Sequence, residues 1–294
     1  MFNSPTTRQL LKKASKKIDL LDAELLLAHV LGKSREFLVA YPEYKVSKFV
    51  SWQVNKLFKK RKRGIPLAYL TDHKEFYGLD FLVNKHVLIP RPDTEIMVDL
   101  VVNRLRTTDD GEQIILIDVG TGSGCIPISI LKDLQTYKLT NLQTFATDIS
   151  RQALKVARKN AYKHNADINF LQGNLLEPIL KNHELLAMNY ELIITANLPY
   201  LTEEQFQNEP SIQHEPKSAL VAKNNGLALY EELLNQIKQL LTTYYLPLTM
   251  YLEIDPSQSV QITKLIQTSL PNTSIEIKKD LARLDRVVVF SLGE

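Results

Sequence analysis

The sequence predicts an α/β protein in which a small all-helical module precedes a mostly parallel sheet covered by helices on both faces. Three observations predict it. Residues 1–74 carry their apolar side chains at helical spacing only, with no strand pattern. Beyond Gly111, short apolar runs alternate with amphipathic helices, the rhythm of buried parallel strands. Between these regions lies a strand–turn–strand stretch that ends at Pro90 and Pro92, which reads as a β-hairpin. The expected boundaries are 1–74 for the helical module, 75–90 for a hairpin linker and 91–294 for the α/β domain.

Composition is consistent with that division. Of 294 residues, 44% are hydrophobic and 23% charged, enough apolar side chain for a sizeable core. With 10 glycines and 13 prolines the chain is neither collagen-like nor low-complexity. No window approaches the ~18 uninterrupted apolar residues of a membrane span. Cys125 stands alone, so no internal disulfide forms, and a reducing, cytoplasmic location is expected. The histidines (His29, His73, His86, His164, His183, His214) lack metal-ligand spacing, and no metal is expected. Charge is uneven: residues 1–84 hold 16 Lys and Arg against 8 Asp and Glu, the remainder 20 against 25. A basic module joined to a mildly acidic one suggests a division of labour, with the front part meeting an anionic or mixed partner.

In the helical module, the acid-free first eighteen residues suit either an organellar presequence or a basic first helix. Apolar periodicity beginning at Leu10 and Leu11 favours the helix. Leu20, Leu21, Leu25, Leu26, Leu27, Val30 and Leu31 define a second helix that Gly32 stops. A third runs from about Val46 to Arg63, with Val50, Val54, Leu57 and Phe58 on one face. Its basic tail, Lys59 to Arg63, reads as a solvated helix end favoured by the macrodipole, with nucleic-acid or RNA-associated contact as the alternative. The hairpin is expected to turn at Asn84-Lys85, and Thr94 to cap a helix over about 95–106. Strands follow at Ile114–Val119, Thr144–Thr147, Ile168–Leu171, Leu192–Ala196 and Met250–Ile254, with helices at about 125–136, 151–164, 226–243 and 257–269. Ile275–Ile277 and Val287–Phe290 would close the sheet with an antiparallel hairpin.

Two motifs carry chemistry. Asp118-Val119-Gly120-Thr121-Gly122-Ser123-Gly124 is a strand-to-helix turn built of glycines, which lets a ligand approach the backbone and the N–H groups of the helix start. Its spacing is G-x-G-x-G, so the dinucleotide pattern G-x-G-x-x-G is not met. Asp148 ends the next strand, where a carboxylate accepts ribose hydroxyls, and Ser150 caps the helix after it. Together they point to a ribose-bearing cofactor without a diphosphate, best matched by S-adenosylmethionine. The second motif, Asn197-Leu198-Pro199-Tyr200, follows a buried strand. Asn197 would hold a substrate NH₂ through its side-chain oxygen, Pro199 stiffens the turn, and Tyr200 offers a flat face to a planar amide or base.

These residues resemble the protein-(glutamine-N5) methyltransferases that modify class-1 peptide chain release factors. Further landmarks are Asp22–Gly32, Pro66–Leu70, Glu75–Gly78, Ile89-Pro90-Arg91-Pro92-Asp93-Thr94-Glu95 and Asp285–Val288. The resemblance implies a class I S-adenosylmethionine-dependent methyltransferase with a Rossmann-like seven-stranded sheet, behind a helical domain that engages the release factor. It implies methylation of the glutamine in the substrate's Gly-Gly-Gln loop, leaving S-adenosylhomocysteine. Gly120, Thr121, Gly122, Ser123, Gly124 and Asp148 would hold the cofactor, Leu175 would border the adenine, and Asn197, Leu198, Pro199 and Tyr200 would bind the glutamine, with Asn197 also near the methyl donor. The enzyme is expected to act as a monomer without needing nucleic acid. Two departures stand out: Leu198 occupies a position where the family usually has proline, and Gly173-Asn174-Leu175 replaces the usual acid and aromatic. The alternatives are an N6-adenine methyltransferase acting on RNA or DNA, and a non-catalytic binding factor. No general base is evident; Glu203 and Glu204 qualify by proximity only.

Overall fold

The computed structural model describes residues 4–108, 113–137, 141–182, 190–244, 246–271 and 273–292; Gly111 and His183 lie outside them. The chain forms two compact units. One comprises the residues up to His73 together with Pro210–His214, and the other runs from Lys74 to Glu209 and resumes at Glu215.

The first unit is helical: α1 (Thr7–Ala14), α2 (Leu20–Leu31), α3 (Arg35–Ala40), α4 (Lys48–Lys62) and α5 (Leu67–Thr71). Thr6 and Gln9 start α1 with a reciprocal capping box, and Gly32 ends α2 in the left-handed conformation at φ 61°. Leu10 and Ala14 of α1 are buried with Leu26, Leu27, Val54, Phe58 and Leu70, so the basic N-terminal segment is a working part of this core. Leu20 and Leu21, the first of the apolar series that marks this helix, are exposed. In the basic tail of α4, Arg61 Nε donates to Asp22 Oδ2 at 2.6 Å, while Lys59, Lys60, Lys62 and Arg63 are exposed.

The second unit opens within a hairpin of β1 (His73–Phe76), whose first residue ends the preceding unit, and β2 (Leu79–Leu82). Its turn lies at Tyr77-Gly78, not at the expected Asn84-Lys85, and Val87–Ile89 forms no strand. Tyr77 and Gly78 both adopt positive φ, 52° and 69°, the requirement of a two-residue turn matched to strand twist. Glu95 and Glu75 accept from their two N–H groups. Then come α6 (Glu95–Arg106), β3 (Ile114–Val119), α7 (Cys125–Asp133), β4 (Leu142–Asp148), α8 (Arg151–His164), β5 (Asn169–Gln172), α9 (Glu177–Leu180) and β6 (Glu191–Ala196). The chain continues through α10 (Glu203–Asn208), α11 (Ala228–Thr243), β7 (Leu248–Glu253), α12 (Ser259–Ser269), β8 (Ser274–Lys279) and β9 (Asp285–Leu292).

The sheet order is β5-β4-β3-β6-β7-β9-β8. The pairs among β5, β4, β3, β6 and β7 are parallel, and β9 inserts antiparallel between β7 and β8. Alternate residues of β3 feed separate cores: Ile115, Ile117 and Val119 on one face, Ile114 and Leu116 on the other. That is why the strand reads as an unbroken apolar run. Phe76 and Phe81 of the hairpin are fully buried in the second of these cores. Among the described residues no helix is long and apolar enough to cross a membrane, and no group of three or more His, Cys, Asp or Glu could hold a metal ion.

Candidate active site

Strand register brings three corners of the chain together. Val119 pairs with Thr147 on one side and with Ala196 on the other. The residues that follow, Gly120, Asp148 and Asn197, therefore emerge side by side at the carboxyl ends of β3, β4 and β6. Strand order also reverses at β3, the place where open α/β sheets bind ligands.

The glycine turn requires its glycines. Gly120, Gly122 and Gly124 adopt φ of 73°, 55° and 81°, a region that side chains disfavour. A Cβ at Gly124 would stand 3.0 Å from Ile128 Cδ1 and 3.3 Å from Ala157 Cβ, whereas one at Gly122 would meet nothing closer than 4.0 Å. Gly124 thus serves helix packing and Gly122 leaves open space. Helix α7 starts without a side-chain cap, so its first N–H groups remain available to a ligand. Gly122 N donates to Asp148 Oδ2 at 2.9 Å and Ser150 N to Oδ1 at 2.8 Å. Burial raises the Asp148 pKa, and these two bonds oppose the rise. Ser150 caps α8 as expected, accepting from Ala153 N at 3.2 Å. Beneath the turn, Asp118 is fully buried; Oδ1 accepts from Thr195 Oγ1 at 2.7 Å, while Oδ2 and the nearby Thr121 Oγ1 lack partners. Burial pushes the Asp118 carboxyl up to about 7.

The Asn197–Tyr200 corner is held from behind. Asn197 Nδ2 donates to Thr94 Oγ1 at 3.1 Å. Thr94 was expected to cap α6, but its side chain makes no cap bond; the 3-10 turn Pro92–Thr94 leads into that helix, freeing the hydroxyl to face Asn197. Gln258 Nε2 donates to the Tyr200 carbonyl at 3.0 Å, and that carbonyl rests on Gly226, where a Cβ would lie 2.0 Å from the oxygen. Glu253, at the end of β7, is buried close by, and its Oε2 has no hydrogen-bond partner. Burial pushes its pKa up to about 7, opposed by the side chains of Thr94, Arg286 and Asn197. Tyr230 donates to the Glu253 carbonyl at 2.6 Å.

One cavity of about 430 Å³ opens over both motifs. Gly120, Thr121, Gly122, Ser123, Asp148, Leu175, Asn197, Leu198 and Pro199 line it; Gly124 and Tyr200 do not. Tyr200 instead packs its ring on the core of its sheet face, and Leu198 buries its side chain so that a Cβ at Gly120 would lie 3.3 Å from its Cδ2. Leu198 therefore lends the cavity its backbone more than its side chain. Leu175 sits at φ 49°, a strained backbone position for a leucine, at the wall expected to border an adenine. Parts of the wall were not foreseen: residues 85–91, tied down where Ile89 N and the Arg91 guanidinium both bond to buried Glu215. Only the Ile89–Glu95 motif hinted at them; nothing local to Glu215 did. Glu203 is exposed and paired with Lys217 at 2.7 Å, which lowers its pKa and makes it a poor base.

The cavity fits S-adenosylmethionine. Its volume lies within the ~300–1,000 Å³ of small-molecule sites. It offers open space above Gly122, an uncapped helix start and a carboxylate, Asp148, at the end of the adjoining strand.

Comparisons with known proteins agree with this chemistry. Residues 6–71 match the family model described as the PrmC N-terminal domain, and residues 94–212 the methyltransferase small domain. The release factor glutamine methyltransferase of Bacillus subtilis is 33% identical over 270 residues, spanning 90% of this chain and 89% of its own. That of Bacillus anthracis is 30% identical over 267 residues, 90% of each chain. This chain belongs to the release factor glutamine methyltransferase family. The Enterococcus faecalis member is 37% identical over 228 residues, covering 76% of this chain and 75% of its own. Among solved structures, the human METTL16 N-terminal domain in complex with SAH superposes with a TM-score of 0.51 at 16% identity, covering 90% of this chain and 93% of that one. The hMettl16 catalytic domain bound to an RNA hairpin gives 0.53 at 14% identity, over 84% and 82%. At such identities the likeness shows the class I methyltransferase fold alone. The family and seven-stranded fold implied by the motifs are thus the ones observed.

Proposed function

We propose that this enzyme methylates the side-chain amide nitrogen (N5) of the glutamine in the Gly-Gly-Gln motif of class-1 peptide chain release factors, using S-adenosylmethionine and tuning translation termination. The observation that carries the reading is the single cavity that joins the glycine turn to the Asn197 corner in a chain of this family.

When bound, the cofactor supplies an electrophilic methyl group on a sulfonium. Gly120–Ser123, the start of α7 and Asp148 would hold it, and Leu175 would border its base. An amide nitrogen is a poor nucleophile because its lone pair is delocalised, so the protein's task is orientation. With Nδ2 committed to Thr94, Asn197 presents Oδ1 to accept a hydrogen from the glutamine NH₂. The backbone of Leu198 and Pro199 forms the rest of that wall. Glu203 is a paired surface carboxylate, so the displaced amide proton passes to water. Tyr200, whose ring packs on the core and which does not line the cavity, would support the corner from behind.

The helical module is the region proposed to engage the release factor. Phe49 and Trp52 on α4 are 66% and 61% exposed, stacked 6.3 Å apart, and form an aromatic surface of the kind protein partners cover. We place the enzyme in the cytoplasm as a monomer that acts on protein without needing nucleic acid. Mass spectrometry of the Gly-Gly-Gln peptide, from release factor incubated with enzyme and labelled S-adenosylmethionine, tests the reading. A mass increment on the glutamine equal to one labelled methyl group in place of a hydrogen supports it; label in RNA but not in release factor overturns it.

A further inference from the structure

The carboxyl of Glu253 is a buried acid behind the Asn197 corner that the mechanism leaves unused. It lies at the end of β7, 1% exposed, and does not line the cavity. Its polar surroundings come from four other elements: Thr94 and Asp93 of the 3-10 turn, Asn197 and Tyr200 after β6, Tyr230 of α11, and Arg286 of β9. Cys125, at the start of α7, also feels its charge field, and Asp255, two residues on, faces the same Tyr200 hydroxyl. Asp93 is itself paired with Arg286 at 3.3 Å, and Arg286 is held by Asp280 at 3.0 Å, so the nearest cation is already shared between two other acids.

We propose that Glu253 is a positioning residue that fixes which way the Asn197 carboxamide faces. An ionised carboxylate accepts hydrogen bonds and donates none, so it attracts the NH₂ end of a neighbouring amide and repels the oxygen end. Thr94 Oγ1 receives Nδ2 at 3.1 Å, and its own hydrogen, which favours the ionised carboxyl, would reinforce the same orientation. Oδ1 is then left for the substrate NH₂, as the proposed methyl transfer requires and on which this inference rests. Protonated Glu253 loses that discrimination, because its hydroxyl would donate to Oδ1 and turn the acceptor away from the substrate. Since burial pushes its pKa up to about 7, turnover falls as the medium is acidified through neutrality.

The test compares the full-length enzyme with its Glu253→Gln, Thr94→Ser and Thr94→Val variants. It measures kcat and KM against a purified class-1 release factor from pH 5.5 to 9, with S-adenosylhomocysteine affinity by calorimetry as the fold check. Expected is a loss of kcat of about 30-fold or more in Glu253→Gln at pH 8, with KM for the release factor and S-adenosylhomocysteine affinity within about threefold of wild type. The acid limb near neutrality disappears in that variant; Thr94→Ser retains activity and Thr94→Val does not. A wild-type rate with an unchanged acid limb in Glu253→Gln overturns the inference, as does a parallel loss of S-adenosylhomocysteine affinity, which would make Glu253 structural. Wild-type enzyme that leaves the release factor unmethylated overturns the proposed function instead, so the two failures are distinct.

Discussion

The glycine turn and the Asn197–Tyr200 corner border the same cavity but are built on opposite principles. The turn is local: seven consecutive residues, positive φ at three glycines, and backbone bonds to the adjoining strand end, such as Gly120 N and Thr121 N to Thr147 O at 2.9 Å each. The corner depends on distant parts of the chain, with Thr94, Gly226, Glu253 and Gln258 converging behind it. A ligand that only needs to be bound is served by backbone geometry. A substrate amide that must present one lone pair in one direction needs side chains whose own rotamers are locked by others.

If that distinction holds, damage to the two regions separates binding from turnover. The largest effect belongs to the corner: Asn197→Ala should lower kcat by about 100- to 1,000-fold while S-adenosylhomocysteine affinity, measured by calorimetry, changes less than about threefold. Asp148→Ala should do the reverse, weakening cofactor affinity by about 10- to 100-fold, with most of the turnover recovered at saturating cofactor. Loss of kcat at saturation would show that the turn also positions substrate, because Asp148 Oδ2 holds Gly122 N.

Leu198 sharpens the comparison, since it touches both regions. Gly120→Ala should weaken cofactor binding and lower the melting temperature through its positive φ and its approach to Leu198. Adding Leu198→Ala should relieve only the steric part, at a separate cost of about 2–4 kcal/mol for emptying a buried leucine site. Full recovery in the double variant would mean that contact, not backbone strain, dominates at Gly120.

The smallest effect is on stability. Asp118 and Glu253 have folded pKa values raised to about 7 from ordinary carboxyl values of 3.8 and 4.5. The folded state therefore holds their protons more tightly than the unfolded chain, and the stability this confers is present below pH 4 and lost as pH rises through about 7. Thermal melts from pH 4 to 8 should show Glu253→Gln gaining about 2–4 °C on wild type towards the alkaline end. A constant difference across that range would mean that the carboxyl is not titrating there.

Much of the fold was legible because its signals are local. The continuous apolar runs of β3 and β6 announce strands buried on both faces, Gly32 and Ser150 mark helix ends, and the G-x-G-x-G turn followed by Asp148 identifies a cofactor without a diphosphate. The hairpin turn was misplaced because Asn84-Lys85 looks like turn chemistry, while Tyr77-Gly78 takes positive φ only with Glu75 and Glu95 receiving its N–H groups. Thr94 was misread for a similar reason: a threonine before a helix is a ready cap, and only packing shows that its hydroxyl faces Asn197.

By itself, then, the sequence determined the two-part organisation, the parallel sheet, the glycine turn and the place of Asn197 at the end of a buried strand beside that turn. These depend on periodicity, backbone conformation and contiguous motifs, which a chain carries along its length. Only the tertiary structure decided that the Tyr200 ring packs on the core, that Leu198 fills the space beside Gly120, and that Glu253 is buried close to Asn197. Those roles arise where strands distant in sequence end side by side, and the burial that shifts a carboxyl pKa exists only once the sheet has assembled.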